Sequence, residues 1–187
     1  MIKINKMNNI NEFDISNKML KDKYFSYKLF LNVIYNCNYS MEQGEWFYYG
    51  ISLARIKRWS GLSTKTIKEK LNHKIYKIKE DELGDRHLYI SKPIDNFIIV
   101  NRPHIESLLK LDEMSIRLYL LIYGWKYNKV DCLSQSMILE MIGYSSKSKV
   151  NKQKLTTARR TLEGMNFIKS KIIRNEDKEN IIYYKIK

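Results

Sequence analysis

Two segments early in the chain have counterparts in its second half, and this repetition restricts the fold more than any other feature of the sequence. Residues 13–17 (FDISN) match residues 97–101 (FIIVN), and residues 26–31 (SYKLFL) match residues 115–120 (SIRLYL). The first pair has the pattern of a short strand and the second that of a buried helix. Together with the motifs that follow them, these segments predict the order strand, helix, helix-turn-helix and hairpin in each half.

Residues 51–71 have the pattern of two short helices joined by a tight turn. Ser52 can cap the first helix, and Gly61 can end it, because glycine adopts the left-handed conformation common at helix C-termini. Ser63 can cap the second helix, which then buries Ile67 and Leu71 on one face. This arrangement is typical of a helix-turn-helix that presents its second helix to a DNA major groove, although an ordinary helical hairpin has the same pattern. The residues of the second helix predicted to contact DNA are Ser63, Thr64, Lys65, Lys68, Glu69 and Asn72.

A hairpin is predicted directly after this helix pair. Residues 75–79 alternate apolar and basic side chains, residues 80–85 are polar around Gly84, and residues 86–91 resume the alternation. Alternation with a period of two is typical of strands with one buried face. A hairpin in this position is the wing of a winged helix.

The helix-turn-helix pattern occurs a second time. The interval from Ile56 to Gly61 recurs from Ile138 to Gly143, and Ser134 precedes the second copy. The segment of residues 144–154 that follows Gly143 is longer and more basic than the turn at Gly61. This predicts an extended turn between the two helices of the second pair. The second recognition helix is then expected to span about residues 150–163, followed by a second wing.

Helical spacing divides this second recognition helix into two faces. Leu155, Ala158 and Leu162 are predicted to face the core. Lysines near the helix start suit phosphates, whereas Gln153 and Arg160 have the geometry to contact adenine and guanine edges. The predicted DNA-binding residues of this helix, its N-terminal end and the second wing are Lys147, Lys149, Lys152, Gln153, Thr156, Thr157, Arg160, Lys169, Lys171 and Arg174.

Basic residues outnumber acidic ones in both halves of the chain. The sequence has 34 Lys and Arg against 20 Asp and Glu, a net charge of +14. Residues 1–102 have 18 basic and 11 acidic residues, and residues 103–187 have 16 and 9, so each half carries +7. From Ser145 to Arg174 there are nine basic residues and one acidic residue. A solvated lysine-rich face would also explain such a run, but its position on a recognition helix and wing favours DNA as the partner.

The sequence therefore predicts an α+β, helix-rich fold with two tandem winged helix-turn-helix domains. We place the boundary near Pro93, where the first wing ends, which gives domains of residues 1–93 and 94–187. Residues 1–12 are rich in Asn and Lys and are expected to form a loose arm. Hydrophobic residues make up 44% of the chain, enough for a packed core.

Other classes of protein are less compatible with the sequence. No apolar run approaches the roughly 20 residues needed to span a bilayer, so we expect a cytoplasmic protein with no membrane partner. His73, His87 and His104 form no His-x-His cluster of the kind a metal-dependent nicking relaxase needs beside its nucleophilic tyrosine. Tyr76 and Tyr144 are nevertheless expected close to the DNA surface. We expect no catalytic residues, no metal and no cofactor, and a DNA-nicking relaxase-type enzyme is the less favoured alternative.

Two motifs carry a family resemblance. They are Ser-x-Arg-Leu-Tyr-Leu at residues 115–120 and Leu-Glu-x-x-x-Phe-Ile at residues 162–168. In a tandem of two winged helices, these motifs resemble those of plasmid and phage replication initiators, and the resemblance spans nearly the whole chain. It implies two units that bind successive major grooves of repeated origin sites, and a protein that opens the origin or recruits host replication proteins.

The sequence leaves open whether the protein is an initiator or a repressor, and whether its first unit contacts DNA or mediates self-association. A winged-helix transcriptional repressor or autoregulator would have the same fold and the same DNA-facing residues. An initiator is expected on directly repeated sites beside AT-rich duplex, whereas a repressor commonly binds a palindrome as a symmetric dimer. A homodimer is therefore a further partner to test, together with the question of whether the first unit contacts DNA or mediates self-association.

Overall fold

A computed structural model describes residues 12–16, 19–36, 38–40, 45–48, 52–91, 97–125, 129–175 and 178–186. These residues form an α+β fold of helices and small antiparallel sheets. The elements up to the first hairpin are β1 (Glu12–Ser16), α1 (Tyr27–Tyr35), β2 (Asn38–Ser40), β3 (Glu45–Tyr48), α2 (Leu53–Ser60), α3 (Thr64–Leu71), β4 (Tyr76–Glu80) and β5 (Arg86–Ser91). The remaining elements are β6 (Phe97–Asn101), α4 (Arg102–Leu108), α5 (Glu113–Tyr123), β7 (Lys129–Ser134), α6 (Gln135–Met141), α7 (Lys149–Gly164), β8 (Ile168–Asn175) and β9 (Lys178–Lys185).

The chain divides into two compact units that interleave along the sequence. Unit 1 comprises residues 1–15, 24–95 and 99–110, and unit 2 comprises residues 16–23, 96–98 and 111–187. Pro93 and residues 1–11 of the expected arm lie outside the described residues, whereas Glu12 is the first residue of β1.

In unit 1, α2 and α3 form the helix pair that the sequence predicts. The Ser52 side chain accepts a hydrogen bond from the Arg55 amide at 3.3 Å and caps α2. Gly61 ends α2 with a φ of +67°, and the Ser63 hydroxyl oxygen then accepts from the Thr66 amide at 3.1 Å, which caps α3. The predicted caps and turn are confirmed. The predicted core residues of α3, Ile67 and Leu71, are also confirmed, with 0% and 6% of their surface exposed.

The predicted first wing is an antiparallel hairpin of β4 and β5, in which Tyr76 lies opposite Ile90. The hairpin belongs to a sheet of order β2-β3-β5-β4, so β4 is an edge strand. Only Tyr76 of β4 is buried, and Ile78 is 39% exposed. The alternation at residues 75–79 therefore identifies the strand, but its apolar face is not covered along its whole length.

Unit 2 contains α5, α6, α7 and a three-stranded antiparallel sheet of order β7-β9-β8. The buried residues of α7 are Leu155, Ala158 and Leu162, as predicted. This helix starts and ends one residue outside the predicted span. The strand order β7-β9-β8 repeats the order β3-β5-β4 of unit 1, in which the strand before the helix pair is hydrogen-bonded to the last strand of the hairpin. The repetition in the sequence thus extends to the topology of the sheets.

Arg117 on α5 connects three parts of unit 2. Its side chain is only 3% exposed, and its Nε donates to the Glu113 carboxylate at 2.8 Å. Its terminal nitrogens donate to the carbonyl oxygens of Leu20, Asp22 and Ile142. Arginine can make all of these bonds at once, because its rigid guanidinium has five N–H donors. The Arg117 side chain thereby connects residues 20–22 to the end of α6.

Gly143, directly after α6, makes a close approach to the same segment. Its φ is +82°, and a Cβ at this position would lie 2.8 Å from the carbonyl oxygen of Lys21. Both the backbone conformation and the contact therefore require glycine. The turn that leads to α7 is held in place by this packing.

The sequence analysis did not predict β2, β3, α4 or β7. The strands β2 and β3 have three and four residues, too short to give a clear alternating pattern. The helix α4 has a local signal, because the Asn101 side chain accepts from the His104 amide at 3.0 Å and Pro103 follows in the first turn. An Asn cap two residues before a proline could have identified it.

Candidate nucleic-acid interface

The exposed face of α7 carries the residues predicted to contact bases. Gln153, Thr157 and Arg160 are exposed and lie on the side opposite Leu155 and Leu162. With 16 residues, α7 is about 24 Å long at 1.5 Å per residue. A helix about 10–12 Å in diameter fits the major groove, which is about 12 Å wide. The exposed face of α7 can therefore reach base edges over several base pairs.

Basic residues cluster at the start of α7. Lys147 and Lys149 are exposed, Lys152 is half-buried, and the first turn of the helix contains no acidic residue. The partial positive charge of a helix N-terminus favours acidic neighbours and disfavours lysines by about 0.3–1 kcal/mol each. An anion such as a DNA phosphate would offset this unfavourable arrangement.

The extended turn before α7 is fixed by side-chain hydrogen bonds. The Ser148 hydroxyl oxygen caps α7 by accepting from the Asn151 amide at 3.2 Å, and the Asn151 side-chain amide donates to the Ser145 carbonyl at 3.1 Å. The Ser146 hydroxyl donates to the Glu140 carboxylate at 2.7 Å. These bonds give the lysines of the turn a defined backbone position at the start of the helix.

The second predicted wing is the antiparallel hairpin of β8 and β9, and a polar network attaches it to α7. Arg159 donates to the Ser170 hydroxyl at 2.9 Å, and that hydroxyl donates to the Glu163 carboxylate. A terminal guanidinium nitrogen of Arg159 lies 3.6 Å from a carboxylate oxygen of Glu163. Glu163 is the one acidic residue between Ser145 and Arg174, and its partners are on α7 and β8. The exposed basic residues of the hairpin strand β8 are Lys169, Lys171 and Arg174.

The predicted face of α3 is exposed as well. Its exposed residues are Ser63, Thr64, Lys65, Lys68, Glu69 and Asn72. Lys70, in contrast, is half-buried, and its Nζ donates to the Tyr24 carbonyl at 2.8 Å. Lys70 therefore attaches α3 to the segment that precedes α1.

The turn of the first predicted wing is acidic. Glu80, Glu82 and Asp85 are exposed, and Leu83 between them is 87% exposed. Asp81 orders this turn, because its carboxylate accepts from the amides of Leu83 and Asp85 and lies 3.0 Å from His87 Nε2. These hydrogen bonds, that of His87 first, lower the pKa of Asp81. The acidic turn of this wing is poorly suited to a phosphate backbone.

Two side chains of α7 differ from the sequence prediction. Thr156, expected on the exposed face, is half-buried, and its hydroxyl donates to the Lys152 carbonyl at 3.1 Å. Its helical position lies between the core face and the exposed face, which residue spacing alone could not resolve. Lys152 is half-buried for the same reason.

The two tyrosines expected near the DNA surface are less accessible than predicted. Tyr76 is 7% exposed, because its side chain faces the core from β4. Tyr144 is half-buried, and burial raises its pKa. A tyrosine nucleophile is activated by a neighbouring base or by a lowered pKa, and the environment of Tyr144 changes its pKa in the opposite direction.

The sequence analysis overlooked two exposed residues on α7. Val150 is 56% exposed in the first turn, and Lys154 is exposed one turn later. The same helical spacing that places Leu155 in the core places both outside, so the signal was present in the sequence. Val150 lies between Lys149 and Asn151 in the first turn of α7.

Comparisons with known proteins give no family assignment. No family model matches the chain, and no curated protein matches it. Within the ranges that the structure describes, no three His, Cys, Asp or Glu side chains are grouped so as to hold a metal ion. None of the described helices is both long enough and apolar enough to cross a membrane.

Proposed function

We propose that this protein binds double-stranded DNA in a sequence-specific manner through two tandem winged helix-turn-helix domains. The observation that carries the proposal is the face of α7, where exposed Gln153, Thr157 and Arg160 lie next to exposed Lys147 and Lys149. Amide and guanidinium groups on one helix face can hydrogen-bond base edges, and lysines at the helix start can bind phosphates.

The order of elements supports the winged-helix assignment. In unit 1 a helix, two strands, two helices and a hairpin follow one another, and in unit 2 a helix, a strand, two helices and a hairpin do so. In both units the strand directly before the helix pair is paired with the last strand of the hairpin. This order of elements and this strand pairing are what a winged helix requires, so they support the proposal. In such domains the second helix of the pair enters the major groove, and this helix is α3 in unit 1 and α7 in unit 2.

Both units carry basic residues on the strands of the hairpin that follows the helix pair. The second wing places Lys169, Lys171 and Arg174 on β8, so it can contact the backbone beside the groove that holds α7. Lys77 and Lys79 are likewise exposed on β4 of the first wing, and the segments that connect the strands of the two hairpins, residues 80–85 and 175–180, both contain acidic residues. We assign DNA contacts in unit 1 to α3 and in unit 2 to α7 and β8, because these elements carry the predicted DNA-binding residues.

Within this class, we propose a plasmid or phage replication initiator that acts in the cytoplasm. The proposal rests on the resemblance of residues 115–120 and 162–168 to the motifs of those initiators. Arg117 of the first motif is buried and attaches residues 20–22 to α5 and to the end of α6 within unit 2, and Phe167 of the second motif is buried. Arg117 and Phe167 thus lie in the core of unit 2. Host replication proteins would be further partners.

Selection of bound sequences from a random duplex library tests the proposal. The full-length chain should enrich one defined sequence. Arg160→Ala should bind that sequence about 1–3 kcal/mol more weakly and lose the preference at one base pair. Lys149→Ala is the matched control on the same helix and should weaken binding to all duplexes similarly. Enrichment of no sequence, or an unchanged preference and affinity for Arg160→Ala, would contradict DNA recognition by α7.

The enriched sequence also distinguishes an initiator from a repressor. An initiator should select directly repeated sites, and permanganate should detect unpaired thymines in adjacent AT-rich duplex after binding. A repressor should select a palindrome and leave the neighbouring duplex paired.

A further inference from the structure

We infer that Val150 and Thr157 on α7 recognise the 5-methyl groups of thymines in the DNA major groove. This inference rests on the proposed DNA binding by α7 and specifies which base that helix recognises. It adds a residue, Val150, that the predicted DNA-binding set does not contain.

The position of Val150 is the first observation. It is 56% exposed in the first turn of α7, beside exposed Lys149. The N-terminal residues of a recognition helix are those that contact base edges. An aliphatic side chain there has no hydrogen bond to offer, and the apolar group that a base pair presents in the major groove is the thymine methyl.

The hydrogen bonding of Thr157 is the second observation. Its hydroxyl donates to the Gln153 carbonyl at 3.2 Å, one turn earlier in the helix. The hydroxyl hydrogen is therefore engaged within α7, and the methyl group is the apolar part of this exposed side chain that remains for DNA. The same backbone bond recurs at Thr161, whose hydroxyl donates to the Thr157 carbonyl at 3.0 Å. Thr161 is half-buried, so Thr157 is the exposed threonine of α7 whose methyl group is available for DNA.

The spacing of the two residues is the third observation. Val150 and Thr157 are seven positions apart, so they lie on nearly the same side of α7, separated by about 10 Å. Successive base pairs are about 3.4 Å apart, so the two side chains match thymines about three steps from each other. Gln153 lies between them and can bond an adenine, so this part of the helix fits A·T pairs.

Replacement of thymine by deoxyuridine tests this inference, because uracil lacks only the 5-methyl group. In the selected duplex, each thymine is replaced in turn, and the affinity of the full-length chain is measured. We expect two positions at which the loss of the methyl weakens binding about fourfold, which corresponds to ~0.8 kcal/mol for one buried methyl-sized group.

Matched variants assign each position to a side chain. Val150→Ser should be insensitive to uracil at one of the two positions. Thr157→Ser removes the methyl and keeps the hydroxyl, so it should be insensitive at the other position, whereas Thr157→Val keeps the methyl and should remain sensitive at both. Gln153→Ala should weaken binding and leave both uracil effects in place. Each altered side chain is exposed, so circular dichroism should show unchanged folding.

The possible failures are distinguishable. If the chain binds the selected duplex but no uracil substitution weakens binding, or if Val150→Ser and Thr157→Ser retain both effects, the recognition of thymine methyls is wrong and DNA binding stands. If the chain selects no duplex, both the inference and the proposed function are wrong.

Discussion

Replacement of Arg117 by alanine should destabilise unit 2 strongly. The guanidinium is buried, donates to three backbone carbonyl oxygens and pairs with Glu113. Removing one partner of a buried ion pair costs about 3–5 kcal/mol. Each buried acceptor left without a donor costs about 1–3 kcal/mol when water cannot replace the donor. Glu113 is 26% exposed, so water can compensate in part, and we expect a total of about 3–5 kcal/mol rather than the full sum.

Native-state hydrogen exchange measures this loss within unit 2. The amides of α5 should exchange about a hundredfold to several-thousandfold faster in Arg117→Ala, because each 1.4 kcal/mol corresponds to a factor of ten. Arg117→Lys keeps the charge but cannot donate in four directions, so it should recover only part of the protection. Arg160→Ala is the control, an exposed arginine whose removal should change stability by less than about 0.5 kcal/mol. Equal exchange rates in wild type and Arg117→Ala would refute the role assigned to this side chain.

Three other substitutions or conditions give further expected outcomes. Gly143→Ala should lower the free energy of unfolding, measured in urea, by about 1–3 kcal/mol. Gly61→Ala should lower it by less. Both glycines have a positive φ, but of the two only Gly143 lies against the backbone of another segment. If six to ten phosphates are contacted, affinity for duplex DNA should fall about a thousandfold or more between 50 and 200 mM salt. Substitution of both Lys65 and Lys68 by alanine should reduce the slope of log affinity against log salt concentration by about 2. An unchanged slope would exclude α3 from the interface. The pKa of the Asp81 carboxyl is lowered in the folded protein, so the carboxylate should stabilise the turn of the first wing fully above the ordinary carboxyl pKa. This stabilisation should be lost as the pH falls through the lowered pKa. Hydrogen exchange of the Leu83 and Asp85 amides should detect the loss, and Asp81→Ala should show no such pH dependence.

Local sequence signals predicted the helix pairs well. Ser52, Gly61 and Ser63 cap or end their helices through hydrogen bonds to residues at most four positions away. The ends of these helices are therefore determined by the local sequence. The core face of α7 was also predictable, because Leu155, Ala158 and Leu162 follow the helical period.

Features that depend on distant parts of the chain were not predictable in this way. Arg117 looked like one residue of a helix motif, yet its partners at residues 20–22 are almost a hundred positions away in the sequence. The pairing of β7 with β9 likewise depends on the tertiary fold, since nothing local to residues 129–134 specifies the partner strand. In the candidate site, spacing identified Gln153 and Arg160 as exposed. It could not show that the Thr157 hydroxyl is bonded within the helix.

The ratio of specific to non-specific affinity tests the central proposal most directly. Fluorescence anisotropy would compare the full-length chain on a labelled duplex with the selected sequence and on a duplex of the same length and composition with that sequence scrambled, at one fixed salt concentration. We expect the selected duplex to bind at least about a thousandfold more tightly, and Arg160→Ala to reduce that ratio by about fivefold to 150-fold, the equivalent of 1–3 kcal/mol. Equal affinity for the two duplexes would contradict sequence-specific recognition by α7.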